Sequence, residues 1–227
     1  MTTPHTVSTG LHGPALPALL LCALLAPLAL SGCGGLFHSS ARPEQVYYLR
    51  AAALEKGAAA DPVATSLRVV RPTAAPGLDS PQIVLLQSDR RMSFYLASRW
   101  PASAPDMVES LAVEKLRGSG MWQAVSDSTS SFPSDYVIQV MIRRFEADYT
   151  GGGQAPDVHV VFDCVVGKRE SREVVGNFLA EGSAQATANR LGAVVAAFET
   201  ATNTALDSMA MQTASAMRLA MAQKKRD

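Results

Sequence analysis

The chain has 227 residues, which is enough for one domain of ordinary size with additional segments. Its 20 basic and 20 acidic side chains cancel, so the protein has no net charge that would favour nucleic acid or an acidic surface as a partner. Hydrophobic residues make up 48% of the chain, with many of them near the N-terminus, and the rest of the sequence has the composition of a globular domain.

An uncharged apolar run occupies residues 15–30. The run is shorter than the roughly 20 apolar residues of a membrane-spanning helix and has the length of a signal-peptide core. Its last residue, a leucine, is followed by Ser31, Gly32 and Cys33, which gives an apolar residue, two small residues and a cysteine, the pattern of a bacterial lipobox. The sequence therefore predicts that residues 1–32 are a lipoprotein signal peptide, cleaved between Gly32 and Cys33.

Cleavage at a lipobox leaves the cysteine as the first residue of the mature chain. We expect the Cys33 thiol to receive a diacylglycerol and its new amine to receive an N-acyl chain, for which palmitate is the natural label. Three acyl chains, at about 0.8 kcal/mol for each buried methylene, make a stable membrane anchor. Gly34 stands where an aspartate would indicate retention in the inner membrane, so the sequence favours the periplasmic face of the outer membrane.

The leader departs from the usual signal-peptide pattern at its beginning. Only His5 and His12 stand where Lys or Arg is typical. The alternative interpretation is a buried apolar helix with an incidental cysteine. The position of the run, its length and the four-residue box all favour the lipoprotein interpretation.

The residues after the anchor are predicted to form a tether and then a series of strands. Residues 33–45 are rich in glycine and serine, which predicts a flexible tether. Apolar alternation and turn residues predict loops at 51–64 and 73–81. Arg143 and Arg144 interrupt the alternation after Ile142, which predicts either a bulge near Phe145 or an exit of the strand from the core. The predicted strands are 46–49, 67–70, 82–86, 92–96, 121–125, 135–145, 158–166 and 174–180.

Two helices are predicted. The first begins with Ser103 as its cap, has Asp106 completing a capping box, and ends at Gly118 or Gly120. The second has apolar residues at three- and four-residue steps over 188–221. The order of elements predicts a single α/β domain over residues 46–222, a mixed sheet with helices packed on it, and a polar, disordered tail at 223–227.

Few residues of the predicted domain suggest chemistry. Cys164 lies in an alternating apolar segment and is interpreted as a small buried side chain, and His159 has no second ligand at a spacing that would suit zinc. The glycine-rich segment 151–154 joins strand to strand and lacks the Lys and Ser/Thr of a phosphate-binding loop. The sequence therefore predicts no catalytic or metal site. The scattered carboxylates are Asp135, Glu146, Asp148, Asp157 and Asp163.

Two features of the sequence each allow an alternative interpretation. Arg143 and Arg144 are expected to lie at a solvated strand end, although they could also bind an acidic partner. The methionine-rich C-terminal helix is expected to contribute to the core and to fray at its end, although its methionines could form an adaptable surface for lipid or a partner protein. Trp100 and Trp122 are expected to pack in the core or at its rim.

Six segments in a fixed order resemble the ABC-type transport auxiliary lipoprotein family, to which the paraquat-inducible protein C lipoprotein belongs. These segments are YYLR (47–50), LRVVRP (67–72), LDSPQIVLL (78–86), FYLASRWP (94–101), MVESLAVEKLRGSGMWQAV (107–125) and YVIQVMIRRFEAD (136–148). The resemblance implies a compact α/β domain similar to the anticodon-binding fold. The C-terminal helix departs from the family pattern by continuing past Met209.

The resemblance also implies a function without catalysis. Members of the family work with a mammalian-cell-entry-type protein that bridges the envelope and with an inner-membrane ABC transporter, and some assemble as homo-oligomeric rings. We therefore expect a lipoprotein that docks a lipid-conducting bridge at the outer membrane, with no cofactor beyond the lipid on Cys33. The alternatives are a structural lipoprotein that assembles an outer-membrane barrel and an envelope hydrolase, for which the sequence displays no clustered nucleophile and base.

Overall fold

A computed structural model describes residues 43–53, 63–224 and 226. Strands and helices belong to one compact unit that begins at Pro43. The strands are β1 (Gln45–Val46), β2 (Val63–Val69), β3 (Thr73–Ala74), β4 (Gln82–Leu86), β5 (Met92–Arg99), β6 (Trp122–Ser126), β7 (Tyr136–Asp148), β8 (Asp157–Lys168) and β9 (Val174–Gln185), and the helices are α1 (Ala104–Gly118) and α2 (Leu191–Lys224). The predicted class, a mixed α/β domain, is confirmed.

Strand β7 organises the sheet. Strand β8 pairs antiparallel with it from end to end, with Tyr136 opposite Lys168 and Asp148 opposite Asp157. Along its other edge β2, β3 and β4 pair in succession, all parallel to β7. Strand β6 continues the sheet beyond β2, β5 and β1 continue it beyond β4, and β9 continues it beyond β8. The sheet is therefore mixed, as predicted.

Alternation along the long strands creates the face that the helices cover. In β8 every second side chain from Val158 to Val166 is buried, as the sequence predicted. In β7 the register shifts between Ile142 and Arg144, and the next buried side chain is Phe145. The bulge inserts one residue, and because side chains alternate with a period of two, it returns the apolar residues to the core face. The predicted bulge is confirmed.

Two predictions near the N-terminus need correction. Strand β1 covers Gln45–Val46 instead of 46–49, because Leu49 leaves the sheet and is buried in the core. Strand β2 begins at Val63 instead of residue 67, within the predicted loop, because its N–H bonds the carbonyl oxygen of Met121. Because Met121 lies far along the chain, the residues around Val63 contain no pattern that would predict this hydrogen bond. The remaining part of that loop, residues 54–62, lies outside the described residues.

The predicted loop at 73–81 contains a short strand. Thr73 and Ala74 pair with Met141 and Ile142 of β7 and form β3. Strands β5, β7 and β9 also extend beyond their predicted ends, because each has a neighbouring strand that continues the ladder of hydrogen bonds. Strand β4 has the predicted bounds, and a hairpin connects it to β5.

Helix α1 begins after the predicted cap and ends at a predicted glycine, but the capping box differs from the prediction: the Asp106 carboxylate accepts a hydrogen bond from the Ser103 hydroxyl at 2.6 Å and not from the Ser103 backbone N–H. The Ser103 hydroxyl accepts a hydrogen bond from the Asp106 N–H at 3.4 Å, and Pro105 lies in the first turn, where no intrahelical N–H bond is lost. The helix ends at Gly118, and Gly120 follows with a positive φ of 64°. Its buried residues face the sheet, and they include Met107, Val108, Leu111, Ala112 and Leu116.

Helix α2 covers the outer part of the sheet and approaches it closely. A Cβ atom on Gly182 of β9 would lie 2.0 Å from the carbonyl oxygen of Ala201, so only glycine permits this contact. The predicted apolar stripe is buried at Val194, Phe198, Ala201, Ala205 and Met209. Met217 is buried as well, whereas Met211 is exposed. The helix runs to Lys224, into the segment predicted as a disordered tail.

Three aromatic rings connect the end of β5, strand β7 and helix α2, and the first of them, Trp100, directly follows β5. The ring centroids of Trp100 and Phe198 lie 5.3 Å apart with an edge-to-face geometry, and Phe145 lies 6.0 Å from Trp100 and 5.2 Å from Phe198. Edge-to-face contacts of this kind stabilise a fold by about 0.5–1.5 kcal/mol in addition to the stabilisation from burying the apolar surface of the rings. Trp100 and Trp122 are both buried, so the prediction that they pack in the core is confirmed.

Candidate functional site

Cys33, the predicted lipidation residue, falls outside the described residues, as do the predicted cleavage position between Gly32 and Cys33 and most of the predicted tether. The described unit begins at Pro43, so residues 34–42 separate it from Cys33. How this first segment is held in the domain determines how an anchor at Cys33 would act on the fold.

The beginning of the described chain is attached to the edge of the sheet. Strand β1 runs parallel to β5 with Gln45 opposite Ser98. The Glu44 carboxylate lies 2.8 Å from Nε of Arg99, and the N–H of Tyr47 donates to the Arg99 carbonyl oxygen at 2.9 Å. The tether therefore leaves the domain alongside β5.

The residues after β1 are attached to helix α2. The Ala52 N–H donates to Oδ1 of Asn203 at 2.7 Å, and Nδ2 of Asn203 donates back to the Arg50 carbonyl oxygen at 2.9 Å. The Arg50 guanidinium bonds the Glu199 carboxylate, and Leu49 is buried. A backbone segment and a helix thus exchange hydrogen bonds in both directions, which fixes residues 50–52 against α2.

Strand β5 carries a wide bulge directly beside this attachment. Across the β4–β5 hairpin Val84 lies opposite Phe94, but Gln82 lies opposite Arg99, so β5 contains extra residues between these two pairs. Within the bulge Ala97 has a positive φ of 51°, a conformation that is uncommon for residues other than glycine. Bulges of this kind redirect side chains and occur often beside functional sites.

The bulge is closed by one hydroxyl and anchored by another. The Ser98 hydroxyl is buried and lies 3.1 Å from the Tyr95 carbonyl oxygen and 3.2 Å from that of Leu96. The Tyr95 and Tyr149 hydroxyls lie 2.9 Å apart, and Tyr149 also donates to Oδ1 of Asn189 at 2.8 Å. Burial raises the pKa of Tyr95 well above its ordinary value, so its hydroxyl stays protonated.

The bulge turns Leu96 outward, where 93% of its surface is exposed. Isolated exposed apolar residues are common on proteins, but here several lie on β5, on the adjacent β1 and just after β1. We call this group the β5 edge surface. Its members and their exposed fractions are Leu96 (93%), Tyr48 (69%), Met92 (49%), Phe94 (41%) and Val46 (39%).

Sequence reasoning missed the β5 edge surface. Met92, Phe94 and Leu96 alternate with Ser93 and Tyr95, and such alternation by itself indicates a strand with its apolar side in the core. The structure reverses that expectation, because Tyr95 is the side chain that points inward to a hydrogen-bonding partner. The uneven spacing between the pairs of β4 and β5 depends on both strands, so no signal within β5 alone reveals it.

Arg143 and Arg144 are paired inside the domain. Arg143 Nε lies 2.9 Å from Oδ2 of Asp163, and Arg144 Nε lies 2.6 Å from Oε1 of Glu146. Arg144 also contacts the Asp148 carboxylate at 3.0 Å. Both arginines thus bond carboxylates of the same domain. Their side chains are partly exposed, as expected, but they lie within β7 and not at its end, which corrects that part of the expectation.

The remaining candidate residues are not brought together. Burial raises the pKa of the Cys164 thiol to about 12, so it is a buried apolar side chain as predicted. The Asp135 carboxylate accepts hydrogen bonds from Thr65 and Ser66. His159 lies on the face opposite the core, and within the described ranges no cluster of three or more His, Cys, Asp or Glu side chains could hold a metal ion.

Neither described helix has the length and apolar character needed to cross a membrane. Clefts of about 550, 930 and 480 Å³ lie on the domain surface, and each is lined in part by charged side chains.

Known structures share this fold. A Xanthomonas campestris protein of the DUF330 family is similar to the chain with a TM-score of 0.70 and 24% identity, over 78% of this chain and 99% of that protein. An uncharacterised protein has a TM-score of 0.53 and 13% identity, over 79% and 99% respectively. A PelC dodecamer from Paraburkholderia phytofirmans is more distant, with a TM-score of 0.39 and 16% identity over 66% of this chain and 88% of that one.

No curated protein is significantly similar to the chain. The family model of the ABC-type transport auxiliary lipoprotein component matches residues 47–210, which includes nearly every strand of the described domain and most of α2. The chain therefore belongs to the ABC-type transport auxiliary lipoprotein family.

Proposed function

We propose that the protein is a periplasmic lipoprotein, anchored in the outer membrane through Cys33, that serves as the auxiliary component of an ABC-type lipid transport system. It docks a mammalian-cell-entry-type bridge protein that runs from the inner membrane to the outer membrane. In this proposal residues 1–32 are the signal peptide, 33–45 the lipidated tether and 46–222 the docking domain, whose mixed sheet with two helices is compatible with the anticodon-binding-like fold.

The observation that carries the proposal is the arrangement of the family domain relative to the lipobox. The family match begins at residue 47, shortly after Cys33, and the first described residues are bound firmly to the sheet and to α2. Lipids do not cross an aqueous compartment unaided, so a shielded path needs a fixed terminus at each membrane. An acylated cysteine joined by a short tether to a rigid domain supplies such a terminus.

The chemistry of the domain favours docking over catalysis. The family is one of transport auxiliary components, and the carboxylates singled out in the sequence include several that bond neighbouring arginine or hydroxyl groups of the same domain. We infer that the domain contributes a contact surface and has no reaction of its own.

Affinity purification from crosslinked membranes tests this proposal. A tag after Asp227 keeps the N-terminus available for processing. We expect a mammalian-cell-entry-type bridge protein, an ABC permease and its ATPase to copurify with the wild-type protein, and native mass spectrometry of the purified protein then reports whether it forms a ring. Recovery of an outer-membrane barrel in place of the bridge would favour the assembly-lipoprotein alternative and contradict the proposal. Gly118→Ala, which changes a site with no neighbouring atom within 4 Å, serves as the matched control.

A further inference from the structure

We infer that the β5 edge surface lies in the lipid–water interface of the membrane that holds Cys33. This inference rests on the proposed function, because it takes the lipid anchor as given. It adds a second, non-covalent contact between the domain and the bilayer, made by apolar side chains of the folded protein.

The first argument is the way in which Leu96 is presented. An exposed fraction of 93% is high for a leucine in a strand, and the backbone holds it there with Ala97 at a φ of 51°. Such a conformation persists only when the surrounding structure determines it, which here is done by the buried Ser98 hydroxyl and by the anchored ring of Tyr95. The fold thus holds an apolar side chain out of the core in a defined place.

The second argument is the direction of the tether. Because β1 is parallel to β5 with Gln45 opposite Ser98, the chain before Gln45 leads back towards the part of β5 that contains Leu96. Residues 34–42 link Cys33 to Pro43, and a fully extended chain of this length reaches at most about 35 Å. A lipid-anchored Cys33 would therefore hold the β5 edge surface near the bilayer.

The third argument is the composition of the surface. It combines two aliphatic side chains and a methionine with the rings of Tyr48 and Phe94. The Tyr48 ring has a polar hydroxyl end, which favours the boundary between lipid and water. The surface lies on the side of the sheet from which the tether departs, so the apolar patch and the proposed anchor coincide.

The charges nearby are also suited to an anionic membrane. Arg90 and Arg91 are exposed at the tip of the β4–β5 hairpin, next to Met92. The Asp89 carboxylate lies 2.5 Å from Arg91 Nε, and the Glu44 carboxylate is paired with Arg99. Two carboxylates that would otherwise repel anionic headgroups are thus neutralised by arginines of the domain.

The contact would set orientation more than affinity. The proposed acyl chains already bury far more apolar surface than one leucine and its neighbours. Immersion of Leu96 would fix which side of the domain faces the bilayer, and it would leave the β9 end of the sheet directed away from it. A partner approaching from the periplasm would then meet a domain in one orientation.

A thiol-directed fluorophore at position 96 tests the inference on the full, processed protein. Leu96→Cys introduces an accessible thiol, whereas Cys164 is buried with a raised pKa and Cys33 is acylated under the proposed function. The matched control is Leu219→Cys, a leucine of α2 with an exposed fraction of 65%. Both proteins are reconstituted into vesicles of phosphatidylethanolamine and phosphatidylglycerol that contain brominated acyl chains, and quenching by brominated lipid is compared with quenching by aqueous iodide.

We expect lipid quenching to be several-fold stronger at position 96 than at position 219, and iodide quenching to be several-fold weaker. Equal quenching at the two positions would overturn the inference, as would protection of position 96 from both quenchers, which would indicate that protein covers it. Flotation of the unlabelled protein with vesicles is measured separately. If the protein floats while position 96 stays in water, only the inference fails; if it does not float, the anchor and the inference fail together.

Discussion

The Lys115 ammonium lies 2.5 Å from Oδ1 of Asp207, and the Lys115 side chain has no exposed surface. The same Nζ donates a hydrogen bond to the Ala52 carbonyl oxygen at 2.7 Å. One charged group therefore connects α1, α2 and the segment that follows the tether. The segment that contains Ala52, which follows the proposed tether, is therefore connected to both helices.

Removal of the acidic partner is expected to destabilise the fold. Asp207→Asn leaves the buried Lys115 charge without its counter-ion, which typically costs about 3 kcal/mol of unfolding free energy. Lys115→Met removes the buried charge itself and is expected to cost less, because Asp207 is partly exposed and can be solvated. Chemical denaturation measures both. A larger loss for Lys115→Met than for Asp207→Asn would contradict this account, and Arg91→Gln in an exposed ion pair serves as the control with no measurable change.

Gly182 limits how closely α2 approaches the sheet. Gly182→Ala would place a Cβ atom 2.0 Å from the Ala201 carbonyl oxygen, so the helix must move. We expect a loss of about 2–3 kcal/mol in unfolding free energy, as for other overpacked contacts. Gly118→Ala, at a site with no atom within 4 Å, is the matched control and should be neutral or slightly stabilising. Equal thermal midpoints for the two variants would show that the close contact does not exist.

Asp135 makes part of the stability depend on pH. Hydrogen bonds from Ser66 and Thr65 lower the pKa of its carboxyl to about 2 in the folded protein. Because the folded pKa is below the unfolded value, the stabilisation is complete above about pH 4 and is lost as the pH falls from about 4 towards 2. We expect Asp135→Asn to cost about 1 kcal/mol at neutral pH, since solvent screens this partly exposed group, and to cost progressively less below pH 4. A difference between variant and wild type that stays constant over this range would be inconsistent with the assignment.

The bulge that presents Leu96 contains a strained residue. Ala97→Gly removes the steric cost of a φ of 51° and is expected to raise the unfolding free energy by about 1 kcal/mol. Ala64→Gly, in an exposed position of β2 that lacks a positive φ, should instead lower it by about 0.5–1 kcal/mol. Thermal melts of the two variants should therefore shift in opposite directions, and a decrease for both would show that Ala97 carries no strain.

Local patterns in the sequence were sufficient to predict much of the fold. The alternation from Val158 to Val166, the cap at Ser103 and the break after Ile142 each depend on neighbouring residues, and the structure confirms all three. The short strands β1 and β3 and the early start of β2 were not predicted correctly. Their hydrogen-bonding partners lie far along the chain, as Val63 shows by bonding to Met121.

The same distinction applies to the candidate site. Cys33 could be predicted as a lipidation site because a lipobox is a contiguous pattern, which a sequence displays directly. The β5 edge surface depends on unequal pairing between β4 and β5 and on the contact of Tyr95 with Tyr149, and neither can be seen in the residues of β5 alone. Apolar alternation indicates that a strand has an apolar face, but the sheet decides whether that face is covered.

The central claim, that acylated Cys33 holds the domain at the membrane, is tested most directly by the mass of the mature N-terminus. Mass spectrometry of the protein extracted from membranes should find a chain that begins at Cys33 with a diacylglyceryl group and an N-acyl chain, and radiolabelled palmitate should be incorporated. Cys33→Ala should abolish both signals, whereas Cys22→Ala, which changes the other leader cysteine, should preserve them. A mature chain that begins elsewhere, carries no lipid and fractionates with soluble protein would contradict the account.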